Sequence, residues 1–325
     1  MHFMVSLAGN RGFHTGAVVI TMEQRIWTKG EGIWLKGNLH GHSTVSDGEL
    51  PPQKVLEGYR ERGYDFFSLT DHNIYTKYES EGLILIPGFE LTCYIKDKRI
   101  HLNFLQKGEK SLYEHGQRFV IETHEKTMAF IEHAQDDYLI MLNHPDWSLL
   151  QYRDVEAMDC LFGMEVFNYG SEWQDRVGES SHFWDAALMD GKRWFGVSTD
   201  DNHNEYTTSL GWPFDHVESD SFGGWVMVKA KNRSVGAITE ALESGAFYAT
   251  SGPEIYDFSV QEGIAHVSCS PVSRIIFKGE RRNYVRQIGT NLTEFTSPLR
   301  GNKEYVRVEC IDEQGKVAYS NPIYL

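Results

Sequence analysis

Six of the fourteen histidines in this chain fall, with two aspartates and a glutamate, into an ordered series of short motifs. NLHGHSTVSDGE carries His40, His42 and Asp47, SLTDHN carries His72, and PGFELT carries Glu90. IHLNF carries His101, LNHPD carries His144, and VSTDDNH carries Asp201 and His203. Imidazole and carboxylate together suit zinc, manganese or iron. One or two such ions need about four to six protein ligands and leave a position open for water. Nine candidates therefore invite a three-metal site with Glu90 bridging. Singly, each motif has a plainer reading. A lone HxH is ordinarily a pair of hydrogen-bonded histidines, a DH pair caps a helix, and NHP is a turn. The ordered set is what carries the metal reading. Some neighbours stay open. Asp200 and Asp201 are adjacent, and only the D-x-H spacing favours Asp201. Glu165, in MEVFN, is either a partner to a ligand histidine or structural. Asp71 reads as a turn cap, and Asn73 and Asn143 as turn residues by default.

Such a set needs elements that end on one face. Short apolar runs alternate with helical patterns from about residue 33 to 249. Strands are predicted over Ile33–Leu39, Tyr64–Leu69, Leu83–Pro87, Ile100–Leu105, Tyr138–Leu142, Gly163–Phe167, Trp194–Ser198 and Gly224–Val228. His40 and His42 stand two apart at a strand end, so their side chains share a side. Pro51-Pro52 opens a helix that Gly63 closes, Tyr113–Ala134 has helical spacing, and Gly191 and Gly245 stop helices over Ser180–Asp190 and Ser234–Ser244. ELTCYIKDKRIHLNF reads as a hairpin. The repeated strand–helix–strand order predicts an α/β fold with a mostly parallel sheet curled into a barrel, whose strand ends share one face. After Ser251-Gly252-Pro253 only strand-like alternation remains. The predicted organisation is an N-terminal arm over 1–30, a metallohydrolase barrel over 31–251 and a small β-sandwich over 252–325. Within the arm, residues 1–21 read as a loosely attached segment or as upstream sequence read from an early start codon.

The net charge of −15 argues against a duplex nucleic-acid partner. It leaves room for a small phosphorylated substrate, because bound divalent ions make a local positive pocket. Cys93, Cys160, Cys269 and Cys310 are scattered without a CxxC pair, which suits a reduced, cytoplasmic protein. No apolar run reaches 18 residues, and no secretory signal is read at the start. GxSxG and GxxxxGK[ST] motifs are missing, which removes support for serine-esterase and P-loop chemistry.

The motif order, HxH, D, DH, E, H, H and DxH, resembles the polymerase and histidinol phosphatase (PHP) family of metal-dependent phosphoesterases over roughly residues 33–250. The resemblance implies a distorted seven-stranded (β/α) barrel with two or three divalent transition metals (Zn, Mn or Fe). It implies that His40, His42, Glu90 and Asp201 hold one ion, Glu90, His101 and His144 a second, and Asp47, His72 and His203 a third. AITEALESGAFYATSGPEI and AYSNPIYL resemble a PHP branch with an appended β-sandwich, which includes carbamate-ester hydrolases similar to carbaryl hydrolase.

The expected function is a phosphoesterase that cleaves a small phosphorylated molecule, such as a nucleotide, with metal-activated water and no protein nucleophile. Its rivals are a carboxylic or carbamic ester hydrolase on the same metals and a non-catalytic binding module. For substrate contacts, the candidates are Trp147, Arg153, Trp173 and Arg176, since an arginine can grip a phosphate bidentately. Exposed arginines more often make ordinary surface pairs.

Overall fold

The computed structural model describes residues 25–26, 31–214, 216, 218–299, 301 and 304–325. The expected arm over 1–30, including residues 1–21, lies outside them apart from β1 (Arg25–Ile26). Strands β2 (Ile33–Asn38), β3 (Phe66–Phe67) and β4 (Ile84–Leu85) run parallel, with α1 (Pro52–Glu61) between the first two. The predicted hairpin forms as β5 (Gly88–Ile95) and β6 (Lys98–Gln106). Next come α2 (His124–Ala134), β7 (Tyr138–Leu142), α3 (Tyr152–Val155), β8 (Gly163–Asn168), α4 (Tyr169–Asp175), α5 (Ser181–Met189) and β9 (Phe195–Thr199). Then follow α6 (Glu205–Ser209), β10 (Trp225–Ala230), α7 (Val235–Glu243) and β11 (Phe247–Thr250). The chain closes with β12 (Ile255–Gln261), β13 (Ile264–Gly279), β14 (Val285–Pro298), β15 (Tyr305–Ile311), β16 (Val317–Ser320) and β17 (Ile323–Tyr324).

The α/β class is as expected, and the continuous ladders form two sheets, which isolated parallel bridges at Gly41–Asn202 and His72–Glu90 link, rather than showing a closed seven-stranded barrel. One ladder runs β5-β6-β7-β8-β9, and the other runs β1-β12-β13-β15-β16-β11-β10-β2-β3-β4 with β14 on β13 and β17 on β15. The physical reason lies at β2. Over Ile33–Asn38 its two edges are taken by β3 and by antiparallel β10, so the β9 side meets it past that strand, at the parallel bridge between Gly41 and Asn202. The two sheets are joined instead beyond the ends of β2 and β9. Asp201 N donates to His40 O at 3.0 Å and His42 N to Asn202 O at 3.0 Å. The second ladder also passes through the β11–β16 pairing into the C-terminal strands, which enclose a core around Phe258, Val267, Phe277 and Val308.

β7 shows how the sheet is buried on both faces. Tyr138, Ile140 and Leu142 enter one apolar cluster, while Leu139 and Met141 enter another, the two-residue alternation of a covered strand. The first helix begins with Pro52, buries Val55, Leu56 and Tyr59, and stops before Gly63, whose φ is +72°. The helix predicted over Tyr113–Ala134 is shorter, spanning only His124–Ala134. Thr123 caps it by accepting from Lys126 N, and Gly116 turns the preceding chain at φ +87°. Tyr113 and Phe119 reach the core from this irregular segment, packing 5.8 and 4.5 Å from the Phe89 ring. Their apolar spacing imitated a helix without forming one. Among the described residues no helix is long and apolar enough to cross a membrane.

Candidate metal centre

All nine candidates converge. His40 and His42 follow β2, and Gly41 between them lies close against the neighbouring chain. A Cβ there would meet Asn202 Oδ1 at 2.4 Å and the Phe67 ring at 2.7 Å. Asp47 sits on the loop beyond, and His72 forms a parallel bridge with Glu90. Glu90 and His101 lie within the β5–β6 hairpin rather than at strand ends, with Glu90 opposite Asn103 and Thr92 opposite His101. His144 follows β7, and Asp201 and His203 follow β9.

Among the described residues, three overlapping groups could hold a metal ion: His40, His42, Glu90 and Asp201; His42, Asp47, His72 and His203; and His72, Glu90 and His101. In the first, His40 Nε2 lies 3.2 Å from His42 Nε2, 3.4 Å from Glu90 Oε2 and 3.1 Å from Asp201 Oδ1. His42 Nε2 lies 3.3 Å from Glu90 Oε2 and 3.0 Å from Asp201 Oδ1. These five separations of 3.0–3.4 Å match the spacing of ligand atoms set about 2.0 Å from a shared tetrahedral ion, the length of a zinc–nitrogen or zinc–oxygen bond. His144 Nε2 adjoins the third group, 3.4 Å from Glu90 Oε1, while His101 Nδ1 lies 3.0 Å from the same oxygen.

Buried atoms lacking partners make a second test of fit. Glu90 Oε2, His72 Nδ1 and His101 Nδ1 are buried without a hydrogen bond, although His72 Nδ1 lies 2.9 Å from Glu90 Oε2. An unsatisfied buried polar group costs about 1–3 kcal/mol, and a shared cation would relieve all three. The electrostatics agree. Burial lowers the His40 pKa, but Asp201, Glu90 and Glu165 outweigh it and hold the ring well above its ordinary value. Likewise, burial lowers that of His203, yet Asp47 and Asp201 raise it to about 9. Burial raises Glu90, and His72, His101 and His40 hold it well below the carboxylate range. The cage attracts positive charge, whether protons or metal ions.

An outer ring of hydrogen bonds aims these groups. Glu165 Oε1 accepts from His40 Nδ1 at 2.7 Å, leaving Nε2 to face the cage. Asp201 O accepts likewise from His203 Nδ1 at 3.0 Å, and Ser148 Oγ pairs with His144 Nδ1 at 3.1 Å. Asp71 caps the loop after His42, accepting from Ser43 N at 2.9 Å and Ser46 Oγ at 2.8 Å. Asn143 donates to Glu90 Oε1 at 2.8 Å, whereas Asn73 braces Thr92 and takes a turn conformation at φ +56°. Asp201 faces the cage. Asp200 faces away, accepting from Asn38 Nδ2, Tyr59 Oη and the amides of Phe222, Gly223 and Gly224 at 2.6–2.8 Å. Burial nonetheless pushes it up to about 6. Asp201 and His144 hold φ values of +54° and +26°. Such backbone strain clusters at functional sites, where the surroundings over-determine it.

The cage opens into a cavity of ≈390 Å³. Trp147 lines it, its ring 4.9 Å from that of His144. Arg153 and Arg176 do not line it. Arg153 is exposed on α3, and Arg176 is 84% exposed beside Glu172. Trp173 lines a neighbouring cleft instead. Sequence reasoning missed three residues here. Arg99 lines the cavity with Nη2 3.3 Å from His101 Nε2, and the signal was its place two residues before His101 on one strand. Asp220, also in the lining, accepts from the amides of His203 and Asn204 at 2.7 and 2.8 Å. Asn168, at the end of β8, donates to Glu165 and to Asp201 at 2.8 and 3.1 Å.

No model of a known protein family matches this chain, and no curated protein matches it. Among solved structures, it is similar to a two-domain protein from Bacteroides vulgatus that contains a predicted PHP-like metal-dependent phosphoesterase. That match has 18% identity and a TM-score of 0.48, and it covers 91% of this chain and 97% of the other. A candidate metal-dependent phosphoesterase from Bifidobacterium adolescentis matches at 14% identity and TM-score 0.36, over 54% of this chain and 89% of that one. An amidohydrolase from Chromobacterium violaceum, with bound sulfate and no metal, matches at 14% identity and TM-score 0.37, over 51% and 87%.

Proposed function

We propose that this protein is a metal-dependent phosphoesterase that cleaves a small phosphorylated substrate, with His40, His42, Asp47, His72, Glu90, His101, His144, Asp201 and His203 as metal ligands. One observation carries the reading. The three ligand groups overlap pairwise, through His42, His72 and Glu90, at the floor of one cavity. Two or three zinc, manganese or iron ions bound there supply water of lowered pKa and positive charge for the phosphoryl oxygens. A phosphoryl group presents three non-bridging oxygens, a better match to three adjacent cation sites than the single oxyanion of a carbonyl.

The chain's own residues do the positioning. Glu165 keeps the His40 proton on Nδ1 and Asp201 O does the same for His203, while Ser148 Oγ anchors the His144 ring at Nδ1. Arg99 adds a guanidinium to the cavity wall, where a phosphate oxygen could accept from it. Trp147 packs against His144 and walls off one side. The test is kcat/KM on nucleotide and sugar phosphates beside aryl carboxylates and carbamates, with metals replete. Phosphates are expected to lead. A best ester or carbamate that beats every phosphate by about tenfold, roughly 1.4 kcal/mol in transition-state binding, would overturn the bond assignment while leaving the metal site standing.

A further inference from the structure

We propose that the cleft between α4 and α6, beside the metal cavity, is a subsite for the leaving group of the ester, and that it takes a planar, uncharged aromatic ring. The proposal rests on the hydrolase reading above. The cleft measures ≈520 Å³ and is walled by Trp173, Tyr206, Leu210 and Trp212. It shares Gln174 and Glu205 with the lining of the metal cavity, and Gln174 Nε2 donates to Glu205 Oε2 at 3.0 Å, so the two openings adjoin across this exposed pair and a substrate lying over it reaches both. Trp173 and Tyr206 pack with ring centres 5.3 Å apart, and Tyr206 and Trp212 with theirs 6.2 Å apart. Tyr206 and Leu210 are 37% and 56% exposed, so apolar surface remains open to a ligand.

The aromatic wall is tied to the cage at both helix starts. Asn168 caps α4 by accepting from Ser171 N, and its amide also donates to Asp201. Asp220 accepts from His203 N and from the N-cap residue Asn204 of α6, three and two positions before Tyr206. Trp173 and Tyr206 are thereby held in register with the metal ligands. The charge around the cleft selects further. Asp175, Glu205 and Glu218 stand in its lining, and among the described residues no lysine or arginine does. An anionic leaving group would be repelled, while a neutral ring would stack on the indole and phenol faces. Hydrolysis would release phosphate on the cage side and an alcohol on the cleft side, water giving its oxygen to phosphorus and a proton to the alcohol.

The test compares benzyl phosphate with cyclohexylmethyl phosphate, alcohols of similar acidity that differ in planarity, on the metal-replete enzyme. Calorimetric titration with the matching phosphonates reads binding without turnover. Benzyl is expected to lead by about fivefold in kcat/KM and in affinity, the scale of an aromatic pair. Trp173→Ala with Tyr206→Ala should bring the ratio within about twofold of one, and a para-carboxylate on the ring should cost about tenfold. Equal use of the two phosphates by the wild type, or a ratio unchanged in the variant, overturns the subsite and leaves the phosphoesterase reading intact. If neither phosphate turns over, the same pair is run as acetates. A benzyl preference there that the variant loses keeps the subsite and removes the phosphate assignment. If neither phosphonate binds and neither pair turns over, the subsite is refuted.

Discussion

Replacing Glu165 by glutamine tests whether the outer hydrogen bonds create the cage or only surround it. The side chain is fully buried. Its Oε1 accepts from His40 Nδ1 at 2.7 Å and Thr199 Oγ1 at 2.5 Å, and its Oε2 from His144 N at 2.6 Å and Asn168 Nδ2 at 2.8 Å. A carboxylate can accept all four, but glutamine has one oxygen and one NH2. Turned toward His144, the NH2 would face a backbone N–H that cannot change sign. Turned toward His40, it would favour the tautomer with the proton on Nε2, the atom that faces Asp201 and Glu90. Either orientation leaves at least one buried donor unpaired, at about 1–3 kcal/mol. Loss of such an outer partner typically costs 10–100-fold in metal affinity, or about 1.4–2.7 kcal/mol. The assay is zinc affinity by chelator competition, with far-ultraviolet circular dichroism to follow the fold. Glu165→Gln should keep the fold and lose at least about tenfold in affinity. An affinity within about threefold of wild type would refute the claim that Glu165 orients His40.

The purified protein should carry two or three transition-metal ions per chain by elemental analysis after growth with Zn, Mn and Fe, whereas less than about one per chain would sink the multi-metal reading. His42→Ala and His144→Ala should each abolish turnover with the fold retained, and near-wild-type activity in either would mean that the site is misplaced. Arg307 is fully buried between Asp185 and Glu309, donating to Glu309 Oε1 at 2.8 Å and lying 4.4 Å from the Trp184 ring centre. Arg307→Ala should lower unfolding stability in urea by up to about 3–5 kcal/mol, because two carboxylates lose a buried partner and keep Lys278 as their cationic partner, and a loss below about 1 kcal/mol would contradict that. The same cluster predicts a pH dependence. Burial raises the Asp185 pKa, but Arg307 and Lys278 outweigh it and hold it below the ordinary value. Its contribution is therefore complete above about pH 4 and is lost as pH falls through the folded value. Urea midpoints of Asp185→Asn that decline with acid as steeply as wild type would argue against it.

The alternation of strands and helices was legible because it is local. Pro52 and Gly63 bound α1, and Gly191 and Gly245 stop α5 and α7, as their backbone preferences require. What could not be read was the pairing of distant edges. Nothing in Ile33–Asn38 announces that its second edge meets Trp225–Ala230 rather than β9. Nor does anything in FYAT announce that β11 will pair with β16 and carry the ladder into the C-terminal strands. The segment from Tyr113 to Phe119 was misread for a related cause. Its apolar spacing serves an aromatic cluster with Phe89 and Phe130, a tertiary demand that helical periodicity cannot distinguish.

The site was legible where the ligand type is rare and the spacing is short, and obscure where burial decides the role. His40 and His42 share a side by strand parity, and Asp201 and His203 repeat that two-residue step. Parity also says that Asp200 and Asp201 point apart, without saying which one meets the cage. The answer lies in partners far along the chain. Asn38 and Tyr59, with the amides of Phe222, Gly223 and Gly224, build a pocket of donors that holds the Asp200 carboxylate. Asp201 is thereby released toward His40 and His42. The same logic separates Arg99 from Arg153 and Arg176, since all three are arginines near site motifs. Only Arg99 stands on a strand that also carries a cage residue, and strand periodicity sends its side chain the way of His101. An arginine on a surface helix has no such constraint, and Arg176 turns to Glu172 instead.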